Sequence, residues 1–241
     1  MSVLPQMQPS AIHDGVFQLS SFGAKVIAVE HGGDLLLVDT GARGSYPLIS
    51  WSLDKLGFSA SRVRSVVLTH SHPDHAGALS SLIAHTDASV GIHADDADAL
   101  EFHDDAGALS GFLSGRLGRA LTRRIYDGPV TPSVRFAHGV ALDWPDPIRV
   151  IHTPGHTPGS VSLYIPSKKV LLVGDALQYR FKRLAGPARL VTADYPEALR
   201  SLHRLAELDF ETIVFSHFPA LRRNAKQRLE SLIESIERKG S

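Results

Sequence analysis

Short apolar runs alternate with glycine and polar turns along the chain, and this pattern divides it into strand-like and helix-like segments. Short apolar runs bounded by turn residues are typical of β-strands. They fall at residues 16–19, 25–30, 34–38, 66–68, 89–93, 139–143, 148–152, 161–165, 170–173 and 212–215. Apolar positions at helical spacing predict helices instead, and these fall at residues 46–56, 76–84, 195–207 and 220–239.

The order of these segments predicts the fold class. A strand-rich half with a few helices is followed by a second half of the same kind, with no linker, low-complexity tract or short repeat between them. This order indicates an α/β (α+β) protein in which two mixed β-sheets pack face to face with helices outside, an αββα sandwich. We therefore expect a single domain over residues 1–241.

Residues 94–124 interrupt the strand pattern between the two halves. Their spaced apolar residues and glycines predict two or three helical pieces, and their arginines make the segment locally basic. We interpret the segment as a helical insertion. Its basic side is a solvated helix face on the simplest interpretation, and a lid or a partner surface over the site on the alternative one.

Composition and charge narrow the range of functions. The chain is 43% apolar and 21% charged, and its formal net charge of +0 gives no reason to expect binding to nucleic acid or to a membrane. The absence of cysteine excludes disulfides and thiolate metal ligands. Residues 1–10 show no secretory signal, and no apolar run approaches the roughly 20 residues of a membrane span. We expect a cytoplasmic protein with a small-molecule substrate, either monomeric or a homodimer.

The densest group of reactive side chains lies in residues 69–75, which contain three histidines and one aspartate. The group follows an apolar strand and precedes a helix-like run, so it lies on a turn. Residues two apart in an extended segment point the same way, so His70 and His72 can hold one metal ion. Asp74 and His75, after the turn, can face a second ion. Imidazole and carboxylate are the ligands expected for zinc and similar divalent metals.

Four further stretches place a carboxylate or an imidazole at the end of a predicted strand, where loops at one edge of a sheet converge. They are Asp39-Thr40-Gly41, the loop 153–160 with His156, Gly174-Asp175, and Ser216-His217. The remaining histidines lie outside these stretches, and we expect them to be surface or packed residues.

All five stretches together resemble, in the same order, the five motifs of the metallo-β-lactamase fold superfamily, and they span most of the chain. The resemblance implies an αββα sandwich with a two-metal site at one edge. In the ligand set that it implies, the first ion is held by His70, His72 and His156, the second by Asp74, His75 and His217, and Asp175 bridges both. Asp39 would orient ligand histidines from outside this set.

Such a site has a defined chemistry. Two divalent ions about 3.5–4 Å apart lower the pKa of a shared water towards neutrality, and the resulting bridging hydroxide attacks a carbonyl or phosphoryl centre. We expect zinc, with Mn²⁺ or Fe²⁺ as alternatives. Asp74 can pass a proton to the leaving group. Tyr179, four residues after Asp175, can donate a hydrogen bond to the oxyanion or can be a packed aromatic.

The branch of the superfamily can be narrowed by the same residues. Secreted β-lactamases of this fold carry a signal peptide and lack a bridging aspartate, and the long glyoxalase II enzymes add a helical domain where only 24 residues follow His217 here (241 minus 217). The lactonase-like, short glyoxalase II-like, esterase and thioesterase members are most similar. In quorum-quenching lactonases the tyrosine lies three residues after the bridging aspartate rather than four.

The sequence therefore predicts a metal-dependent hydrolase of an ester, lactone or thioester. Two alternatives stay open. One is a persulfide dioxygenase with a single iron on His70, His156 and Asp175. The other is a ligand-binding member with weak activity.

Overall fold

The structure is a computed structural model, and it describes residues 8–102 and 125–240. The chain divides into two compact units, residues 1–135 and 136–241. Each unit is built on its own mixed sheet with helices. No helix among the described residues is long and apolar enough to cross a membrane. Of the predicted helical insertion, residues 94–102 are helical, and residues 103–124 lie outside the described residues.

The first unit carries a seven-stranded sheet in sequence order. Its strands are β1 (Ser10–His13), β2 (Val16–Leu19), β3 (Val26–His31), β4 (Asp34–Val38), β5 (Val63–Val67), β6 (Ser89–His93) and β7 (Val134–Phe136). Its helices are α1 (Tyr46–Lys55), α2 (Pro73–Ala76), α3 (Leu79–Ile83) and α4 (Ala94–Phe102). The strands β1 to β4 form an antiparallel meander, whereas β4, β5 and β6 run parallel to one another.

The parallel strands β4 and β5 position the first half of the candidate site. Both are rich in Leu or Val and are largely buried, as expected of parallel strands in the middle of a sheet. Because they run in the same direction, the segments that follow them leave the sheet at the same edge. Asp39 follows β4 and residues 69–75 follow β5, and the Asp39 N–H donates to the Val67 carbonyl over 2.9 Å. The predicted convergence of these two segments is thus a consequence of strand direction.

A buried cluster anchors this edge of the first unit. Ile49 and Leu53 of α1 are fully buried and pack in one cluster with Leu37 of β4 and Val66 of β5. Each fully buried aliphatic side chain of this kind contributes about 1.5–3 kcal/mol relative to an exposed one. The strands β4 and β5, whose ends carry the polar groups, are therefore anchored in the apolar core of this unit.

The second unit carries a five-stranded sheet in the order β14-β11-β10-β9-β8 and a two-stranded hairpin, β12-β13. The sheet strands are β8 (Ala141–Leu142), β9 (Ile148–His152), β10 (Val161–Ile165), β11 (Val170–Leu172) and β14 (Thr212–Val214). The hairpin strands are β12 (Gln178–Arg180) and β13 (Arg183–Ala185). Its helices are α5 (Tyr195–Ala206) and α6 (Ala225–Gly240), which pack against each other.

Strand direction again places the candidate residues of the second unit. β10 is antiparallel to both β9 and β11, and β11 is parallel to β14, so β9, β11 and β14 all run the same way. The loop 153–160, Asp175 and His217 each follow one of these three strands. All three segments therefore leave the sheet at one edge.

The element boundaries correct the sequence prediction at several places. The sequence pattern missed β1, β7 and the β12-β13 hairpin. The predicted helix 76–84 is split into α2 and α3 at Gly77, where a Cβ atom would lie 2.2 Å from the Pro73 carbonyl oxygen. The last helix begins at Ala225 rather than at residue 220, because Leu221 exchanges two backbone hydrogen bonds with Ile213 at 2.8 and 2.9 Å.

Candidate functional site

The turn that carries His70 and His72 is held on both sides of the residue between them. The Ser71 N–H donates to Asp96 Oδ2 over 2.9 Å, and the Tyr126 hydroxyl donates to the Ser71 carbonyl over 2.6 Å. Both partners are buried. This clamp brings His70 Nε2 and His72 Nδ1 to 3.1 Å from each other. Two nitrogen ligands of one tetrahedral zinc would lie about 3.3 Å apart, given zinc–nitrogen distances of about 2.0–2.1 Å.

Asp39 organises the histidines of the first unit from behind. It is buried, and its backbone φ of 62° lies in the left-handed region, which Asp tolerates better than most residues. Its Oδ1 accepts the Thr69 N–H over 2.8 Å, and its Oδ2 lies 2.8 Å from His75 Nδ1. A carboxylate can only accept, so His75 carries its proton on Nδ1. Its Nε2, which lies 3.8 Å from Asp74 Oδ2, is then the nitrogen with a lone pair.

The Thr69 hydroxyl extends this control to His70. Thr69 Oγ1 lies 2.9 Å from Asp39 Oδ2 and 3.1 Å from His70 Nδ1. Its single proton goes to the carboxylate, so the hydroxyl oxygen accepts from His70 Nδ1–H. Nε2 of His70 therefore also has its lone pair available. Partners of this kind fix the tautomer and the ring orientation of metal-binding histidines.

In the second unit, Asp175 lies between two histidines. Its Oδ2 is 3.6 Å from His156 Nε2, and its Oδ1 is 3.4 Å from His217 Nε2. His156 is buried, whereas the His217 side chain is 31% exposed. One carboxylate oxygen thus faces each imidazole. This arrangement suits a carboxylate that is shared by two metal ions.

The loop that carries His156 is tied to the start of α5. The Asp194 N–H donates to the Gly155 carbonyl over 2.8 Å, and the Ala193 N–H donates to the His156 carbonyl over 3.2 Å. Gly155 has a φ of +125°, and a Cβ atom there would lie 2.2 Å from the Ala198 nitrogen. The loop and the helix therefore approach too closely for any residue other than glycine.

Tyr179 is packed rather than open on the contacts that the structure gives it. Its ring stacks on Phe215 with a centroid separation of 5.8 Å, and its hydroxyl accepts from Arg228 Nη1 over 3.1 Å. The Arg228 guanidinium also lies 5.1 Å from the Tyr179 ring centroid. These contacts favour the packed-aromatic interpretation, and a role as oxyanion donor stays a prediction.

Sequence reasoning assigned no role to four residues that touch or orient the candidate ligands: Thr69, Asp96, Tyr126 and Thr192. Thr69 could have been found from its position next to His70. The other three lie 20 or more residues away from the loops they contact, and only the folded chain brings them there. His152 is one of the histidines expected to be surface or packed residues. Its Nε2 contacts the Pro158 carbonyl oxygen over 2.8 Å, within the loop that carries His156.

Mixed sheets with helices, and histidine and aspartate side chains gathered at strand ends, define a class of metal-binding α/β proteins. The chain belongs to the metallo-β-lactamase superfamily, whose sequence model matches residues 22–217. The match confirms the resemblance drawn from the five motifs. The superfamily consists mostly of metal-dependent hydrolases.

Curated relatives point to the same family. The probable metallo-hydrolase YflN of Bacillus subtilis is 26% identical over 83% of this chain and 82% of that protein. The probable metallo-hydrolase YqgX of the same organism is 32% identical over 63% of this chain and 66% of that protein. Hydroxyacylglutathione hydrolase of Fuscovulum blasticum is 28% identical over 68% of this chain, which spans only 51% of that enzyme.

Solved structures confirm the predicted fold. A metallo-β-lactamase family protein from Thermus thermophilus matches with a TM-score of 0.76 and 25% identity, over 95% of this chain and 81% of that one. The metallo-β-lactamase GOB-18 of Elizabethkingia meningoseptica matches with a TM-score of 0.72 and 21% identity, over 99% and 94% of the two chains. The fold class is therefore that of the metallo-β-lactamases, as predicted.

Proposed function

We propose that this chain is a hydrolase that binds two divalent metal ions, zinc in the first place, and cleaves an ester, lactone or thioester. The observation that carries this proposal is the donor set of each unit. In the first unit, the Nδ1 atoms of His70 and His75 are hydrogen-bonded to the Thr69 hydroxyl and to the Asp39 carboxylate. In the second unit, the Asp175 carboxylate faces two imidazoles. Buried imidazoles in fixed tautomers, together with acidic oxygens, form a ligand set that fits zinc.

The proposed ligands are the seven residues that the motifs indicate. They are His70, His72, Asp74, His75, His156, Asp175 and His217. The donor set also fits Mn²⁺ or Fe²⁺, because it consists of nitrogen and oxygen atoms alone. When bound, a pair of such ions supplies a nucleophilic water at neutral pH and a Lewis acid for the substrate carbonyl.

The side chains of the chain have separate tasks in this proposal. Asp39 holds the His75 proton at Nδ1, which leaves Nε2 as the nitrogen that can bind metal. Asp74 is the more open of the two candidate ligand carboxylates, with 44% of its side chain exposed against 18% for Asp175, so it can exchange a proton with solvent and deliver it to a leaving group. His70 and His75 of the first unit, and His156 of the second, are each buried, so little of these imidazoles is open to solvent.

The substrate class rests on the motifs and on the relatives. On the resemblance drawn from the motifs, Asp175 stands where secreted β-lactamases of this fold lack an aspartate. Enzymes named hydroxyacylglutathione hydrolases are among the relatives, at 28% identity. The formal net charge of +0 gives no steering towards polyanions. An ester, lactone or thioester of a small acyl compound is therefore the proposed substrate. The cytoplasmic location, the single domain and the choice between monomer and homodimer stay predictions from the sequence.

A substrate panel tests this function. Zinc-loaded protein is assayed on aryl esters, acyl lactones, acyl thioesters including an acylglutathione, a chromogenic cephalosporin and bis-nitrophenyl phosphate. We expect an acyl ester, lactone or thioester to lead in kcat/KM by at least about tenfold, equal to about 1.4 kcal/mol of transition-state preference. A lead of that size for the cephalosporin or the phosphodiester would exclude the proposed class.

Two variants separate the site from general protein damage. Asp175→Asn should abolish turnover. Asp209→Asn removes an exposed carboxylate that pairs with Lys169 at 3.2 Å in the same unit, and it should leave the rate unchanged. Oxygen consumption with a persulfide by iron-loaded protein, with no hydrolysis of any panel member, would instead favour the dioxygenase alternative.

A further inference from the structure

Thr192 contacts the imidazole of His156 on the side away from Asp175. Its Oγ1 lies 3.2 Å from His156 Nδ1, and both residues are buried. His156 Nε2, on the opposite side of the ring, faces Asp175 Oδ2 at 3.6 Å. The imidazole is therefore held between a hydroxyl on one nitrogen and a carboxylate on the other.

The Thr192 hydroxyl can donate a hydrogen bond to only one of its two neighbours. Thr192 Oγ1 lies 2.8 Å from the Ala188 carbonyl oxygen. A carbonyl oxygen carries no proton, so this contact is a hydrogen bond only when Thr192 is the donor. A hydroxyl has a single proton, so Thr192 must accept from His156 Nδ1–H. The His156 lone pair then lies on Nε2, the nitrogen that faces Asp175.

The backbone around Thr192 makes this geometry rigid. The two residues that follow it donate their N–H groups to the His156 and Gly155 carbonyls, at 3.2 and 2.8 Å. Asp194 also caps α5, because its Oδ1 accepts the Glu197 N–H over 2.9 Å. The segment 188–194 is thus fixed at one end by a helix N-terminus, and it carries the hydroxyl to the ring with little freedom to move.

The first unit contains the same device built from other residues. There, Thr69 donates to Asp39 and accepts from His70 Nδ1. In both units a buried threonine hydroxyl donates its hydrogen bond to a group that can only accept. The hydroxyl oxygen therefore accepts from the histidine, whose proton is held on Nδ1. The acceptor is a carboxylate in the first unit and a backbone carbonyl in the second, so no sequence motif marks the second case.

We infer that Thr192 is a positioning residue, which fixes His156 as its Nδ1–H tautomer so that Nε2 is the metal-binding nitrogen. This inference rests on the proposed function, because it assigns the nitrogen through which His156 binds metal. It predicts a property of the metal-free protein as well, and that property can be measured without turnover.

Nitrogen NMR of metal-free protein tests the tautomer directly. Ring ¹⁵N shifts and long-range ¹H–¹⁵N couplings distinguish Nδ1–H from Nε2–H, and His156→Gln identifies the His156 signals. At a pH where the ring is neutral, the wild-type protein should show the Nδ1–H form. Thr192→Val removes the hydroxyl at nearly constant shape and should shift His156 partly or wholly to the Nε2–H form, while Thr192→Ser should restore Nδ1–H. An Nε2–H form in the wild-type protein would overturn the inference.

Metal affinity, measured by chelator competition, provides the second readout. Thr192→Val should weaken binding of one ion by about 10- to 100-fold, the range seen when partners of metal-binding histidines are removed. Thr192→Ser should stay within about threefold of wild type on the same scale. Thr153→Val is the matched control, because Thr153 is buried in the loop that carries His156 and its hydroxyl lies 3.3 Å from Ser162 Oγ.

The outcomes distinguish the two proposals. If wild-type protein binds no divalent metal, the proposed function fails, and the NMR experiment still decides the tautomer. If wild-type protein binds two ions and Thr192→Val binds both with the wild-type affinity, the proposed function stands and the role assigned to Thr192 is refuted. If Thr192→Val does not fold, the comparison between wild type and Thr192→Ser, together with the wild-type tautomer, decides the inference.

Discussion

Replacing Asp39 by asparagine isolates the charge and the acceptor capacity of this carboxylate. The shape is unchanged, and asparagine adopts the left-handed backbone of Asp39, with its φ of 62°, at least as readily as aspartate. The change therefore introduces no backbone strain. What it removes is one of two acceptor oxygens, in a position where both are used.

Neither orientation of the new amide satisfies both partners while His75 carries its proton on Nδ1. If its oxygen accepts the Thr69 N–H, its NH₂ group faces His75 Nδ1 at the 2.8 Å that now separates Oδ2 from that nitrogen. His75 must then accept at Nδ1 and carry its proton on Nε2. If the amide is reversed, the NH₂ group opposes the buried Thr69 N–H. Because the amide carries no charge, the charge-assisted hydrogen bonds of Asp39 are lost in either orientation, and a hydrogen bond to a charged group contributes about 1.5–3 kcal/mol.

We expect this loss to appear mainly in the affinity for one ion. In the first orientation the Thr69–His70 bond survives and only His75 loses its ligand nitrogen, so one of two binding steps should weaken by about 10- to 100-fold, or about 1.4–2.7 kcal/mol. Chelator-competition titration with zinc resolves the two steps, and denaturant unfolding of the metal-free variant measures the hydrogen-bond cost separately.

Asp34→Asn is the control for this experiment. Its carboxylate is 39% exposed and pairs with Arg62 and Arg64 at 3.3 and 3.0 Å on the surface of the same unit, where such pairs contribute about 0–1 kcal/mol. It should leave both binding steps unchanged. An Asp39→Asn variant that binds both ions within about twofold of wild type would refute the proposed control of the His75 tautomer.

Three further predictions follow from particular contacts. Gly155→Ala should prevent stable folding or lower the thermal midpoint far more than Gly32→Ala, because a Cβ atom at residue 155 would lie 2.2 Å from a backbone nitrogen of α5 whereas nothing lies within 4 Å at residue 32; equal midpoints would contradict the close approach. Tyr126→Phe removes the hydrogen bond that holds the His70–His72 turn, so it should lower the unfolding free energy by about 1 kcal/mol and also weaken metal binding. Tyr164→Phe removes a hydroxyl bond to the Asp209 carbonyl and should lower stability alone. Equal metal affinities of the two variants would argue against the clamp on the turn. Chelation of zinc should lower the thermal midpoint reversibly, since an ion present at 1,000 times its Kd stabilises the folded state by about 4 kcal/mol; a midpoint insensitive to chelator would show that the folded state gains nothing from metal.

The candidate ligands could be found in the sequence because each follows an apolar strand. Val66 and Val67 precede His70, and the strands β11 and β14 precede Asp175 and His217. Strands that run the same way must release their following segments at one edge. The pattern of short apolar strands, each followed by a histidine or an aspartate, was therefore enough to predict the fold class and the types of candidate ligand.

The supporting residues could not be found in this way, because their roles depend on long-range contacts. Asp96 reaches the Ser71 N–H from α4, Tyr126 reaches the Ser71 carbonyl from a turn, and Thr192 reaches His156 from the segment before α5. None of them stands in a recognisable spacing. The short strands β1 and β7 were missed for a related reason, since each has few buried side chains and depends on a neighbouring strand for its hydrogen bonds.

The most direct test of the two-ion proposal is anomalous diffraction from crystals grown with zinc, with data collected on both sides of the zinc absorption edge. Two anomalous peaks per chain are predicted, about 3.5–4 Å apart. One should lie beside His70 and His72, the other beside His75, and the Asp175 carboxylate should touch both. A single peak, or peaks that no carboxylate oxygen of Asp175 reaches, would contradict the dinuclear site.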